Sequence, residues 1–393
     1  MDNIGTISWG VKLPYLREGD DLVGIVLDEV EASYKLLKQE IADCDIIAIT
    51  ESLAARTQGN YVLFADIEAD VFSKFGYEEI AVTFPIASRN RVARQLQAIA
   101  QAVKKVYLQM SFPDDEVGNP LISQETLYDS KIDYNGVYTV DEFRQLAGKS
   151  TVMPLTGVDY LDVYEKLAPN IEIVLANNPQ AILAYTKKIL IYGVHRRALD
   201  RKILQAAGAE IIYDLSEIMN EPSTTHGYNQ IFGLYGSNRT GERIKLFPRD
   251  CQPLLSEIQK RIKTKYDKHV EVMIYGDGAF KDPQYGVWEF YDPCVSPFYT
   301  SGLAGFPNES KLKDLIDSGL SEEEINTQIK NNKYEKGAMG TTPRRYTDLL
   351  GSLSDLTSGS GDKATPVVVI KNYFGASKCQ EILASENCII TAK

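Results

Sequence analysis

The alternation of apolar strand-like runs with helix-like segments between residues 61 and 225 constrains the fold more than any other feature. Residues 78–91 have the pattern of a strand followed by a turn, and residues 92–107 repeat apolar side chains at helical spacing. The runs IEIVLANNP, KILIYGVHRRALDRKILQAAGA and EIIYDL continue as strand, strand with helix, and strand. This alternation predicts an α/β unit with a partly parallel sheet.

Further elements are predicted on both sides of this unit. Apolar residues recur at helical spacing over residues 21–40, and Asp20 precedes them as the predicted N-cap. Residues 43–52 predict a buried strand that delivers the polar residues 50–52 to its carboxyl end, where sites are commonly built. Residues 310–332 are polar and predict loops. The other predicted elements are helices at 254–266 and 346–356 and strands at 269–280 and 367–371.

The length of the chain favours more than one folding unit. A chain of 393 residues exceeds the usual size of one domain, so two domains or one domain with a large insert are expected. We assign residues 1–60 and 226–393 to a discontinuous core and residues 61–225 to an inserted domain. The predicted fold class is α/β: an α+β core with mixed sheets, plus an inserted α/β domain.

Charge and hydropathy restrict the class of protein. The net charge of -12 and the absence of a long basic run argue against nucleic-acid binding, because phosphate neutralisation needs clustered Lys and Arg. No stretch stays apolar for the roughly 20 residues of a membrane helix, and the first residues lack a leader pattern. A soluble, cytoplasmic protein is expected.

The cysteines do not predict a metal site or a disulfide framework. They are odd in number, scattered and without CxxC spacing, so we expect reduced thiols. The five cysteines are Cys44, Cys251, Cys294, Cys379 and Cys388.

Two short segments, GLYGSN at residues 233–238 and MIYGDGAFK at residues 273–281, are the strongest candidates for chemistry. They occur in order with REGDDL, DCDIIAIT, ARTQGN, HG and the late run TDLLGSLSDLTSGSGDKATPVVVIK. This order resembles the coenzyme F-420 γ-glutamyl ligases, which join glutamate to a deazaflavin precursor using GTP and a divalent metal. The resemblance covers roughly the first sixty and the last hundred and seventy residues. It implies that the discontinuous core is γ-glutamyl-ligase-like.

The first family signature is present without its carboxylate. Gly233, Ser237 and Asn238 match it, but Tyr235 stands where the family has a metal-binding Asp. Metal ions bound to nucleotide phosphates prefer carboxylate oxygens, so this substitution removes an expected ligand.

The other carboxylate positions are partly retained. Asp277 matches the Asp of the second family signature, and Lys281 stands where that signature has Arg. By itself, the Asp-Gly pair at 277–278 would predict an ordinary turn at a strand end. Ser360 replaces the third family carboxylate, with Asp362 close to it in sequence. The resemblance therefore makes Asp277 and Lys281 the catalytic candidates, and the candidate metal ligands are Asp277, Glu289, Asp292 and Asp362.

Cationic and polar residues are candidates for binding nucleotide or substrate. Arg56 in ARTQGN resembles a basic residue of the family, and Arg344 and Arg345 precede a predicted helix, whose N-terminal N–H groups favour anions. Ser237 and Asn238 complete this set. The cluster at residues 195–197 is a weaker anion candidate, and a triad hydrolase and a P-loop are not supported.

The sequence therefore predicts an amide-forming ligase of the γ-glutamyl type, which forms an acyl phosphate that the amine of an amino acid attacks. The resemblance implies Mg²⁺ or Mn²⁺, GTP or ATP as co-substrate, glutamate or a similar amino acid, a small anionic acceptor and a homodimer. Two alternatives stay open. One is a catalytically silent ligand-binding homologue that has lost the metal site, and the other is a redox protein that binds a nucleotide through the inserted domain.

Overall fold

The computed structural model of the chain describes residues 4–88, 91–148, 151–153, 157–276, 296–307, 312–331, 344–359 and 365–391. Its architecture is α/β, which confirms the predicted fold class. The strands are β1 Ile7–Val11, β2 Ile46–Thr50, β3 Tyr61–Leu63, β4 Glu79–Thr83, β5 Lys105–Met110, β6 Val137–Tyr138, β7 Val152–Met153, β8 Val158–Asp159, β9 Ile171–Ala176, β10 Lys188–Ile191, β11 Ile211–Asp214, β12 Asn238–Thr240, β13 Arg243–Lys245, β14 Glu271–Tyr275, β15 Phe298–Tyr299 and β16 Val367–Lys371. The helices are α1 Leu22–Leu36, α2 Glu51–Thr57, α3 Phe64–Phe75, α4 Val92–Ala102, α5 Gln124–Asp129, α6 Val140–Ala147, α7 Tyr160–Glu165, α8 Arg197–Ala206, α9 Gln252–Tyr266, α10 Leu312–Asp317, α11 Glu322–Asn331, α12 Tyr346–Ser358 and α13 Ala376–Thr391.

A five-stranded mixed sheet gathers strands from both ends of the chain in the order β1-β16-β2-β14-β15. Strand β2 is parallel to β14 and antiparallel to β16. Its side chains alternate between two apolar layers: Ile47 and Ile49 pack with residues of α1 and α9, and Ile46 and Ala48 pack with residues of α12. Because both faces are covered, an uninterrupted apolar run is the pattern this strand requires.

A second sheet contains the strands of the alternating region, in the order β11-β10-β4-β5-β9-β6. The first five of these strands are parallel, and β6 is antiparallel at the edge. The chain runs outward from β4 through β5 to β9 and then returns to β10 on the other side of β4. The strand order therefore reverses between β4 and β10, which is a topological switch point.

A small three-stranded sheet, β12-β13-β3, lies between these two units in chain order. Val62 of β3 and Ile244 of β13 belong to the same hydrophobic core as the six-stranded sheet. Ile244, which lies beyond the alternating region in the chain, therefore packs with it.

Three predictions of local structure were wrong. Asp20 does not cap α1, because its carboxylate accepts a hydrogen bond from the Arg17 N–H at 2.6 Å; Asp21 is the N-cap and accepts from the Gly24 N–H at 3.0 Å. The helix predicted over 92–107 ends at Ala102, because the residues after it pair as β5 between β4 and β9. Helices α10 and α11 occupy much of the stretch predicted to be loops.

The expectation of reduced thiols was also wrong. Cys44 and Cys379 form a disulfide with a Cα–Cα distance of 5.8 Å across 335 residues of sequence. Sequence spacing gave no signal, because the fold brings α13 against the loop before β2. Cys251 is a buried free thiol, and burial raises its pKa to about 12. Among the described residues, none of the helices has the length and apolar character that crossing a bilayer requires.

We expect the disulfide to stabilise the fold by constraining the unfolded chain. Cys379→Ser should lower the free energy of unfolding by about 2–4 kcal/mol. Reductant should lower the thermal midpoint of the wild-type protein to that of the variant, measured by circular dichroism. Cys251→Ser is the matched control and should retain the response to reductant. A wild-type midpoint that does not change on reduction would contradict the prediction.

Candidate functional site

A cleft of about 360 Å³ opens at the edge of the five-stranded sheet where the parallel strands β2 and β14 end. Carboxyl ends of neighbouring parallel strands are a common position for ligand sites, because the loops that follow them diverge. The cleft is lined by Leu13, Pro14, Tyr15, Leu16, Thr50, Glu51, Ser52, Leu53, Arg56, Tyr275, Gly276, Asp355, Ser358, Gly359, Thr365 and Pro366.

Glu51 is the first residue of α2, directly after β2, and its side chain is buried in the wall of this cleft. Its Oε1 accepts a hydrogen bond from the Nζ of Lys245 at 2.6 Å, and Lys245 is itself buried in β13. The other carboxylate oxygen, Oε2, is buried and has no hydrogen-bond partner among the described residues. The lysine therefore compensates the charge of Glu51 but leaves one acceptor unused.

Tyr275 supplies a second buried polar atom to the same cleft. It ends β14, in register with Thr50 of β2, and its hydroxyl oxygen is buried. Burial raises the pKa of Tyr275 to about 12, with the Ser358 hydroxyl opposing the shift. The phenol is therefore protonated at neutral pH and can both donate and accept a hydrogen bond.

Arg56 is the predicted binding residue that the structure places in this cleft. It lies four residues after Ser52 on α2, so the two side chains share one face of the helix. Arg56 is exposed, and no ion pair joins it to another described residue. Its guanidinium is available to an anionic ligand.

The GLYGSN segment packs against the six-stranded sheet. Gly233 has φ +51°, and a Cβ there would lie 2.3 Å from the Leu215 carbonyl oxygen, so glycine is required. Tyr235 is 1% exposed and its hydroxyl donates to the Gly193 carbonyl oxygen at 2.9 Å. The Arg197 guanidinium lies 5.2 Å from its ring centroid. Tyr235, which the resemblance aligned with a metal-binding Asp, is therefore a core residue.

Ser237 and Asn238, which also match the first family signature, have different surroundings. Ser237 is fully buried and accepts a hydrogen bond from Gln95 of α4, which also donates to the Leu234 carbonyl oxygen at 3.1 Å. Asn238 pairs with Lys245 in the β12–β13 ladder. The structure therefore does not bring Ser237 to the cleft, whereas Asn238 lies one strand from the lysine that binds Glu51.

Arg344 and Arg345 lie at the opposite end of α12 from the cleft. Arg345 forms an ion pair with Asp348 at 2.9 Å. Asp355, which does line the cleft, is ten residues further along, or about 15 Å at 1.5 Å per residue. The structure does not bring these two arginines to the cleft.

The remaining predicted site residues, Asp277, Lys281, Glu289, Asp292 and Asp362, lie outside the described residues. Gly276 and Gly359, which do line the cleft, immediately precede the segments that carry Asp277 and Asp362. In the part of the chain that the structure describes, no group of three or more His, Cys, Asp or Glu side chains could hold a metal ion.

Sequence reasoning missed a carboxylate pair at the switch point of the six-stranded sheet. Glu116 accepts hydrogen bonds from the N–H groups of His195 and Arg196, at 3.1 and 3.3 Å, and from that of Val194. The Asp115 carboxylate accepts from the backbone N–H groups of Ala87, Val117 and Asn119 and from the side-chain amide of Asn119. Burial raises the pKa of Glu116, and it raises the pKa of Asp115 to about 6. Residues 195–197 were predicted to bind an anion. In the structure, the Glu116 carboxylate occupies this position at the start of α8.

Comparison of the sequence with known protein families identifies the family of the chain. The chain matches the family described as F420-0:Gamma-glutamyl ligase over residues 10–372. Because this match spans nearly the whole chain, the chain belongs to that family. The matched range also runs through residues 61–225. No curated protein matches the chain.

A carboxylate at position 235 should destabilise the fold. Tyr235→Asp would remove a buried ring and bury an uncompensated charge, so we expect a loss of about 3–5 kcal/mol in unfolding free energy. Tyr235→Phe keeps the ring, removes the hydrogen bond to Gly193 and should cost about 1 kcal/mol. Urea unfolding curves measure both. Equal stability of the Asp variant and the wild type would show that position 235 is not in the core.

The Asp115 environment predicts a pH dependence of stability. Its pKa of about 6 in the folded state exceeds the usual 3.8, so the folded state binds more protons between these values. Its stabilising contribution is therefore complete below pH 3.8 and is lost as pH rises through 6. The difference in unfolding free energy between wild type and Asp115→Asn should change over this range and be constant above pH 7. A difference that does not vary with pH would contradict the assignment.

Proposed function

We propose that this chain is a nucleotide- and metal-dependent ligase that forms an amide bond between a carboxylic acid acceptor and the amine of glutamate or a similar amino acid. Membership of the F420-0:Gamma-glutamyl ligase family supports the γ-glutamyl ligase class. The observation that carries the proposal is the cleft at the ends of β2 and β14, which Gly276 lines immediately before Asp277.

The chemistry requires two displacements. The acceptor carboxylate attacks the terminal phosphorus of the nucleotide, which gives an acyl phosphate and the nucleoside diphosphate. The amine then attacks the acyl carbon and phosphate leaves with the bonding electrons, while the amine loses a proton. Arg56 would hold an anionic group of a substrate in the cleft, and Asn238 and Lys281 would contact phosphate or substrate.

A divalent metal, when bound, would neutralise the triphosphate. Asp277, Glu289, Asp292 and Asp362 are the carboxylates proposed to hold it. The described residues do not themselves form such a set, so no step is assigned to the metal.

Three further proposals concern the whole protein. We propose that residues 1–60 and 226–393 form the ligase core and residues 61–225 an inserted domain, since the two large sheets draw their strands separately from these segments. A homodimer is proposed from the family resemblance. The proposed cytoplasmic location is weakened by the Cys44–Cys379 disulfide, because disulfides are typical of oxidising compartments.

A specific observation favours the alternative of a silent ligand-binding homologue. Tyr235 occupies the hydrophobic core, so the carboxylate expected at that position has no direct substitute there. This alternative keeps the cleft and the anion-binding role of Arg56 but no turnover.

Phosphate release tests the ligase. Purified protein with GTP or ATP, Mg²⁺ or Mn²⁺, glutamate and a panel of carboxylic acids should release phosphate only when both the amine and the acceptor are present. Arg56→Ala should reduce the rate or affinity about 10- to 100-fold through loss of a charge-assisted hydrogen bond. Arg261→Ala, an exposed arginine on α9 paired with Glu257, is the matched control. Ligand binding without phosphate release under any condition would favour the silent homologue.

A further inference from the structure

Three buried side-chain oxygens at the switch point of the six-stranded sheet have no hydrogen-bond partner among the described residues. They are Oγ1 of Thr83, Oε1 of Gln109 and Oδ2 of Asp200, and all three side chains are fully buried. Buried polar atoms in folded proteins are nearly always hydrogen-bonded. Three such oxygens at one place therefore indicate a bound species that satisfies them.

The sheet places Thr83 and Gln109 side by side. They are in register on the neighbouring strands β4 and β5. Side chains two residues apart on a strand point to the same face, so Thr83 shares the face of Ala81. Gln109 shares the face of Tyr107 for the same reason. Because Ala81 and Tyr107 pack in one hydrophobic cluster, the two oxygens lie on one face, at the carboxyl ends of their strands.

Asp200 reaches the same face from α8. Leu204, one turn later on this helix, packs in the same hydrophobic cluster, so Asp200 also points toward the sheet. The Arg196 guanidinium donates to Oδ1 of Asp200 at 2.9 Å and lies 5.4 Å from the ring centroid of Phe84. Phe84 directly follows Thr83, which places Asp200 over the end of β4.

The chemistry of the three oxygens defines the bound species. The Gln109 Nε2 donates to the carbonyl oxygens of Ala176 and Asn178 at 3.1 and 2.7 Å, so the orientation of the amide is fixed and its oxygen can only accept. The ionised Asp200 oxygen also only accepts, and the Thr83 hydroxyl can donate or accept. Carboxylate, amide and hydroxyl oxygens are ligands that hard cations prefer.

Charge at the switch point also favours a cation. Burial raises the pKa of Glu116, and the neighbouring Asp200 carboxylate adds to this increase. Burial likewise raises the pKa of Asp200, with Arg196 opposing the shift. In the described part of the chain, Arg196 forms the only ion pair with either carboxylate. A buried water would satisfy the hydrogen bonds, but a cation would also reduce the repulsion between the two carboxylates.

We propose that Thr83, Gln109 and Asp200 hold a monovalent metal cation, Na⁺ or K⁺, at the switch point of the six-stranded sheet. The complete burial of the three side chains fits a single ion rather than an organic molecule. The ion joins α8 to the ends of β4 and β5, so it stabilises the alternating region. The proposal does not depend on the ligase function.

The thermal midpoint in different salts tests this site. Circular dichroism compares NaCl, KCl, MgCl₂ and CaCl₂ with choline chloride at equal ionic strength, because choline is too large to enter. Na⁺ or K⁺ should raise the midpoint of the wild type by about 2 °C or more at about tenfold above the dissociation constant. The larger of the two shifts identifies the ion.

Variants locate the ion. Asp200→Asn keeps the size of the side chain but removes its charge and should abolish the shift. Thr83→Val removes the hydroxyl with little change of shape and should reduce the shift, which provides a separate test if the Asp200 variant fails to fold. Asp214→Asn is the matched control and should keep the shift. Asp214 ends β11 and pairs with Arg201 of α8, but both of its carboxylate oxygens have hydrogen-bond partners.

Two results would overturn the proposal. Equal wild-type midpoints in the sodium, potassium and choline salts would indicate that a buried water satisfies the three oxygens. A sodium or potassium shift that is unchanged in Asp200→Asn or in Thr83→Val would place the ion elsewhere in the protein. Neither measurement uses substrate turnover, so the failure of the ligase function would leave this test unaffected.

Discussion

The buried ion pair between Glu51 and Lys245 is the interaction on which the arrangement of the site depends. Glu51 follows the central strand of the five-stranded sheet, and Lys245 belongs to the three-stranded sheet that packs with the alternating region. Removing one partner of such a pair leaves an uncompensated buried charge, which is strongly destabilising. The pair therefore holds Glu51 in the wall of the cleft, and it determines that Oε1 is the carboxylate oxygen that accepts from Lys245.

The GLYGSN segment takes part in the same packing between the three-stranded sheet and the alternating region. The GLYGSN turn is bound to α4 through Gln95 and to the switch point through Tyr235. Its next residue, Asn238, pairs beside Lys245. A charged Asp at position 235 would be incompatible with this apolar position, whereas a tyrosine fills it and satisfies the Gly193 carbonyl. Tyr235 at this position and the packing against the alternating region are thus one structural feature.

Much of the fold could be predicted from local pattern. The strand at 367–371 and the helix that ends at Tyr266 were predicted correctly, because their apolar periodicity is undisturbed by neighbouring elements. The helix predicted to reach residue 107 was too long, since pairing with β4 and β9 made a strand of its end. Of the candidate site, Arg56 and the polar residues after β2 could be predicted to lie near a strand end. The buried surroundings of Glu51 could not, because they depend on Lys245 and Tyr275, which come from distant parts of the chain.

The sequence alone determined the α/β class and the family, because hydrophobic periodicity and the order of short motifs are local properties that survive without coordinates. Tertiary structure decided the roles of individual residues. It buried Tyr235, joined Cys44 to Cys379, separated Arg344 and Arg345 from the cleft and brought Glu51 and Tyr275 together. The physical reason is that burial and hydrogen-bond satisfaction depend on neighbours across the fold, which linear spacing does not specify.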